Sequence, residues 1–108
     1  MSVYMIVDVQ IHESETYSEY VERVAAVVEA HQGRYLARGG RATSLVGDWR
    51  PERIVLIEFP TRELLERCFA SEAYRRLAPL RERSTTARAV VVEGSTASRP
   101  DSSSSARP

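Results

Sequence analysis

Hydrophobic residues along the chain fall into six blocks, and their spacing changes from block to block. In Val3 to Gln10 they alternate. Val3, Met5, Val7 and Val9 form one set and Tyr4, Ile6, Asp8 and Gln10 the other, the two-residue period of a β-strand. From Thr16 the period lengthens to that of an α-helix: Tyr17, Tyr20, Val21, Val24, Val27, Val28 and His31 make one stripe, with Glu19, Glu22, Arg23 and Glu29 off it. The spacing predicts a helix over about residues 15–32. Thr16 with Glu19 as a capping box, or Ser14, would open it, and Gly33 in the left-handed conformation would close it.

Arg34 to Leu45 alternates imperfectly around Gly39 and Gly40, and Arg53 to Phe59 is a short, dense apolar run. Two strands are predicted, joined through Gly47-Asp48-Trp49-Arg50-Pro51, with the paired glycines marking a bulge or a close backbone approach. After Pro60, Thr61 can cap a helix carrying Leu64, Leu65, Cys68 and Phe69. The apolar phase slips at Ser71 and resumes at Tyr74, Leu77 and Ala78. This predicts a kinked or two-piece helix, restarted by Ser71 and disturbed again by Pro79, which has no amide hydrogen. Ala87 to Glu93 reads as a last strand ended by Gly94.

The order βαββαβ predicts an α+β, ferredoxin-like fold, an antiparallel four-stranded sheet with two helices on one face. One domain over residues 1–94 accounts for all of it. Residues 95–108 are rich in serine, lack a large apolar side chain, and are expected to be a disordered tail. Both alternating sets of the first strand contain apolar residues, and the third strand is apolar on both faces except at Glu58. A fully solvated second face would be unfavourable, so dimerisation through it is expected.

Composition narrows the function. The chain has 108 residues, and its 15 basic residues, all arginine, balance 15 acidic ones. Zero net charge with dispersed arginines argues against nucleic-acid binding. Without lysine there is no amine for Schiff-base chemistry or a lysine-anchored pyridoxal cofactor. The lone Cys68 cannot form an internal disulfide, and His12 and His31 lack neighbours at zinc-ligand spacing, so no metal site and no cofactor are expected. With neither a membrane-spanning run nor a signal-peptide pattern, a cytoplasmic protein away from membranes is expected.

The segments GRYLARGG (Gly33 to Gly40), GDW (Gly47 to Trp49), RIVLIEFP (Arg53 to Pro60) and S-x-x-Y with a following arginine (Ser71, Tyr74, Arg81) resemble domain-of-unknown-function family 1330. That family lies within the dimeric α/β-barrel superfamily. The resemblance runs from about Val3 to Gly94. This chain departs from the family in carrying Glu13-Ser14 where the first helix usually opens with Asp-Pro. It also has Val46 in place of an acidic residue, and Ser71-Glu72-Ala73-Tyr74 in place of S-P-E-Y. No role resting on a carboxylate at position 46 carries over. The resemblance implies the fold and a homodimer but no reaction. The wider superfamily includes small polyketide cyclases, cofactor-independent oxygenases and haem-handling enzymes.

Among candidate site residues, Asp8 and Glu58 are strand carboxylates with apolar neighbours, each either a general base or an arginine partner. Arg38 suits a ligand carboxylate or an enolate oxygen, or else an ion pair with one of those two. Tyr20 and Tyr74 lie on apolar helix faces, where a ring can pack and a hydroxyl can reach a ligand, and Trp49 can lid a pocket, pack across a dimer or anchor its loop. His31 suits a helix C-terminus and Cys68 a buried structural thiol. The expected function is a cofactor-independent enzyme of isomerase, cyclase or oxygenase type, acting on a small carbonyl-containing or aromatic metabolite. Asp8 or Glu58 would be the base and Arg38 the oxyanion stabiliser. The alternatives are a noncatalytic small-molecule-binding or accessory protein and, less favoured, haem handling through His31.

Overall fold

A computed structural model describes residues 1–95, so the expected serine-rich tail lies outside the described residues except for Ser95. Its elements are β1 (Val3–Ile11), α1 (Ser14–Ala30), β2 (Arg34–Ala37), β3 (Arg53–Phe59), α2 (Arg62–Ala70), α3 (Glu72–Ser84) and β4 (Thr85–Glu93). The strands form one sheet in the order β2-β3-β1-β4, with every neighbouring pair antiparallel. With α2 and α3 as two pieces of the second helix, this is the ferredoxin-like fold.

Strand alternation decides what each face carries. Val3, Met5 and Val7 stand opposite Phe59, Ile57 and Val55 on β3, and the same β1 residues stand opposite Glu93, Val91 and Ala89 on β4. Val3, Val55, Ile57 and Phe59 join Tyr17, Val24, Val28, Leu65, Cys68, Tyr74 and Leu77 in the core, so this face meets the helices. The alternate positions, including Tyr4, Ile6, Asp8, Leu56, Glu58 and Val90, belong to the face without helices.

The break at Ser71 comes from capping. Its Oγ accepts from the backbone N–H of Tyr74 at 3.1 Å and so starts α3, as Thr61 Oγ1 starts α2 by accepting from Leu64 at 3.1 Å. Pro79 interrupts less than expected, because α3 runs on to Ser84 despite its missing donor. Neither expected cap opens α1. The N-cap is Glu13, whose side chain accepts from Thr16 Oγ1 at 3.0 Å instead of capping an amide.

Two expectations about glycine change. The left-handed residue after α1 is Gln32 (φ 66°), one position before Gly33. Gly33 is needed for close approach, since a Cβ there would lie 2.6 Å from the Phe59 ring and 2.7 Å from Val28. Second, β2 ends at Ala37, and its register shift falls between Tyr35 and Ala37, so Gly39 and Gly40 lie beyond the strand with open space around them. β3 runs on to Arg53 past the Ala37–Leu56 pair, but after the register shift β2 no longer follows it.

Candidate active site

The helix-facing side of the sheet encloses a cavity of about 330 Å³ between the strands and α1 and α3. That lies within the usual range of small-molecule sites, about 300–1,000 Å³. Met5, Val7, Val55 and Ile57 form its floor, and Tyr17, Tyr20 and Val24 from α1 with Tyr74 and Arg81 from α3 form its roof. The space exists because β4 is small on this side: Ala87 and Ala89 stand opposite Val9 and Val7 where larger residues would fill it.

Its polar chemistry is a row of phenols flanked by Arg38 and Arg81, with Thr85 and Arg88 at the β4 edge. Tyr20 and Tyr74 hydroxyls are 3.0 Å apart, and Arg81 Nε donates to the Tyr74 oxygen at 3.0 Å. The i,i+7 spacing places Tyr74 and Arg81 two turns apart on one face of α3. Of the two phenol protons, one makes the Tyr–Tyr bond. The other has no acceptor among the described residues and remains for a third group in the cavity. Burial, reinforced by Tyr74, pushes the Tyr20 hydroxyl far above the ordinary phenol range, so it stays neutral and can donate. Burial works against the Arg81 charge, but contact with Tyr74, then Tyr20 and Glu82, outweighs it and holds the guanidinium charged. Across the cavity, the Arg38 guanidinium lies over the Tyr35 ring, 4.4 Å from its centroid. Burial raises Tyr35 to about 12 despite that neighbouring charge.

Arg38, Tyr20 and Tyr74 thus share the cavity, while Asp8 and Glu58 do not line it. The two carboxylates share the face without helices, and each is bound to its own arginine. Asp8 Oδ2 accepts from Arg88 at 3.2 Å, and Glu58 Oε1 accepts from Arg34 at 2.7 Å. Bonding to Arg34 first, and to Ser2 next, holds the Glu58 carboxyl below the usual range. Neither is therefore placed to act as a base on a ligand among the phenols, and neither pairs with Arg38. The reason is the two-residue period: Asp8 lies between Val7 and Val9, which face the helices, so it must face away.

Trp49 also lies outside the cavity. Half exposed, it donates from Nε1 to Asp8 Oδ2 at 3.1 Å in a separate polar depression of about 310 Å³ with Glu52, Thr86 and Arg88. Arg81 and Tyr35 are the site residues that strand and helix periodicity left unassigned. The spacing of Tyr74 and Arg81 could have revealed the first, and the alternation of β2 the second.

Among the described residues, no group of three or more His, Cys, Asp or Glu is placed to hold a metal ion. His31 ends α1 with Nδ1 2.9 Å from the Val27 carbonyl and does not line the cavity. Cys68 is fully buried, and burial raises its thiol to about 11.

A ferredoxin-like sheet with a ligand-sized, mostly apolar cavity under its helices defines the class: a small α+β protein of ferredoxin-like fold. The chain belongs to the family described as domain of unknown function DUF1330, whose model matches residues 2–95. No curated protein matches the chain. Among solved structures, it resembles RPA0582, a protein of unknown function from Rhodopseudomonas palustris, at 17% identity and a TM-score of 0.76, over 92% of this chain and 84% of that one. It also resembles SnoaB, a cofactor-independent oxygenase from Streptomyces nogalater, at 9% identity and a TM-score of 0.63, over 92% and 98% of the two chains. A putative antibiotic biosynthesis monooxygenase from Caulobacter crescentus CB15 matches at 8% identity and a TM-score of 0.66, over 87% and 90%. At these identities the likeness establishes the fold alone. No helix among the described residues is long and apolar enough to cross a membrane.

Proposed function

We propose that this protein is a cofactor-independent enzyme of isomerase, cyclase or oxygenase type, acting on a small aromatic or carbonyl-containing metabolite held in the helix-side cavity. The observation that carries the proposal is the spare phenol proton of the Tyr20–Tyr74 pair beside the charged Arg81. Together they suit one ligand oxygen that is a carbonyl, enol or phenol in the ground state and gains negative charge on reaction.

Among the described residues the cavity wall offers no carboxylate or imidazole, and burial raises the Tyr20 and Tyr35 hydroxyls, so a protein base is not the source of reactivity. Arg81 instead lowers the pKa of the ligand itself, and the proton leaves to solvent. The bound enolate or phenolate is the electron-rich species that an isomerisation, a ring closure or attack on dioxygen would use. Asp8 and Glu58, the bases expected from sequence, have no part in this scheme.

The functional unit is proposed to be a homodimer joined through the face without helices. There Ile6, Ile54 and Leu56 lie beside Val90 and Val92, which are 58% and 47% exposed in the single chain. A second copy covers that surface and leaves both helix-side cavities open.

Native mass spectrometry of freshly purified protein, compared with denatured protein, reads subunit count and any retained ligand together. The ligand, returned to emptied protein under air, is then followed by liquid chromatography and mass spectrometry. A product of altered mass or retention time, formed at a rate that Arg81→Met abolishes and Tyr74→Phe reduces, is the expected result. A ligand recovered unchanged after many equivalents would favour a noncatalytic binding protein, the alternative that the lack of a protein base keeps in play. Unimpaired turnover in Arg81→Met would refute the oxyanion assignment.

A further inference from the structure

The two ends of the cavity are both cationic, and only one is used by the proposed chemistry. Arg81 belongs to α3, which leads into the edge strand β4, whereas Arg38 follows β2, the opposite edge strand. Three strand-to-strand steps of about 4.8 Å separate those edges, roughly 14 Å across the sheet. The arginines joined to strand carboxylates, Arg88 to Asp8 and Arg34 to Glu58, make those pairs on the face without helices. Arg38 has no carboxylate within ion-pairing distance among the described residues, and its guanidinium rests instead on the Tyr35 ring.

Its surroundings fix it there. Arg53 Nη1 donates to the Arg38 carbonyl at 3.3 Å, and the Arg53 guanidinium lies over Tyr17 at 5.3 Å, so a second arginine without a carboxylate partner anchors the backbone of the first. A guanidinium seated on an aromatic face keeps its in-plane N–H donors free, and those donors match the two oxygens of a carboxylate. Apart from Thr85 and Arg88 on the β4 side, the rest of the wall is apolar or phenolic, and it holds no anion that would repel such a ligand.

We propose that Arg38 is a specificity residue that binds a ligand carboxylate, so that the substrate is a two-ended monocarboxylic acid. Its enol, carbonyl or phenol oxygen sits at Tyr74 and Arg81, its flat apolar body crosses the sheet, and its carboxylate emerges at Arg38. This rests on the helix-side cavity being the ligand site, and it adds the charge and length of the ligand. Arg53 is a positioning residue that acts through the Arg38 backbone.

The test uses three probes of one shape: 2-naphthol, 6-hydroxy-2-naphthamide and 6-hydroxy-2-naphthoic acid, each titrated calorimetrically into the full-length protein. The acid should bind at least tenfold more tightly than the isosteric amide. Arg38→Gln should remove that preference while leaving amide and naphthol binding unchanged, and Arg38→Lys should restore part of it. Circular dichroism should show Arg38→Gln folded, since this side chain is exposed. If naphthol and amide bind and the acid gains nothing, or if the acid preference survives Arg38→Gln, the Arg38 assignment is overturned while the cavity reading stands. If none of the three binds, both fall.

Discussion

The two faces of the sheet are built from the same strands, and they treat charge in opposite ways. On the face without helices, carboxylates and arginines meet directly, Asp8 with Arg88 and Glu58 with Arg34. On the helix-covered face, Arg38 and Arg81 line a cavity together with phenols and without a carboxylate, and Arg88 reaches the same cavity from its β4 edge. An ion pair that is already satisfied has little left for a ligand. An arginine held by a phenol keeps most of its charge and several of its donors for one. The lesson is that the conspicuous strand carboxylates neutralise one face, whereas the polar groups left unpaired by carboxylates lie on the other, carried by α1, α3 and the end of β2.

The largest contrast between the faces should appear in stability. Phe59→Ala removes a fully buried ring from the helix-covered face and should cost about 3–5 kcal/mol, read by urea denaturation. A small loss there would show that the helices do not close over the sheet as described. The adjacent Glu58 faces the other way, and its replacement should be felt far less.

The cavity itself can be filled. Ala87→Leu places a larger side chain in the open space and should weaken 2-naphthol binding by more than tenfold, about 1.4 kcal/mol. Its effect on the denaturation midpoint should be small, because the added methyl groups enter a void and not a packed site. Undiminished binding would move the ligand elsewhere. Next in size, Tyr74→Phe leaves Arg81 Nε and the Tyr20 hydroxyl without their shared partner, at a cost of about 1–2 kcal/mol. Tyr4→Phe, which removes a 3.3 Å contact to Glu58 on the other face, should cost less.

Much of this architecture was legible in the sequence, for reasons particular residues make plain. The 3.6-residue stripe from Tyr17 through Val28 needs a single buried side, and Ser71 restarts a helix because its hydroxyl caps it; both are local effects. Which side of β1 meets the helices is not local. Tyr4 and Ile6 are as apolar as Met5 and Val7, so alternation placed Asp8 opposite Val7 without saying that Val7 faces inward. The cavity was hidden for a similar reason: Ala87 and Ala89 read as indifferent strand residues and become empty volume only when a helix is laid above them. Arg38 stood out by residue type, and the structure places it in the cavity wall. Arg81 stood in the family motif, but its role depends on a contact with Tyr74 and Tyr20 that joins two helices.

Titration sharpens the contrast with smaller effects. Tyr35 and Tyr20 ionise later in the folded chain than in the unfolded one, so their contribution is intact below pH about 10 and is lost as pH rises from about 10 toward 12 and beyond. Tyrosinate absorbance should show at least these two phenols of the chain's five lagging behind the same protein in denaturant. Glu58 has the opposite sign. Its folded carboxyl titrates lower than its unfolded one, so its stabilisation is present above about pH 4.5 and disappears as pH falls through the lowered value. Glu58→Gln should therefore destabilise slightly near neutrality and not at all in acid, as thermal melts across that range would show.

The central claim is that Arg81 and the tyrosine pair favour a negative oxygen inside the helix-covered cavity. The most direct measurement is the pH at which bound 4-nitrophenol ionises, followed by its visible absorbance in the wild type and in Arg81→Met. The wild type should ionise the bound phenol at a lower pH than free phenol, and Arg81→Met should return it to the free value or above. A bound phenol that ionises no earlier than the free one, or an equal shift in both proteins, would contradict the account.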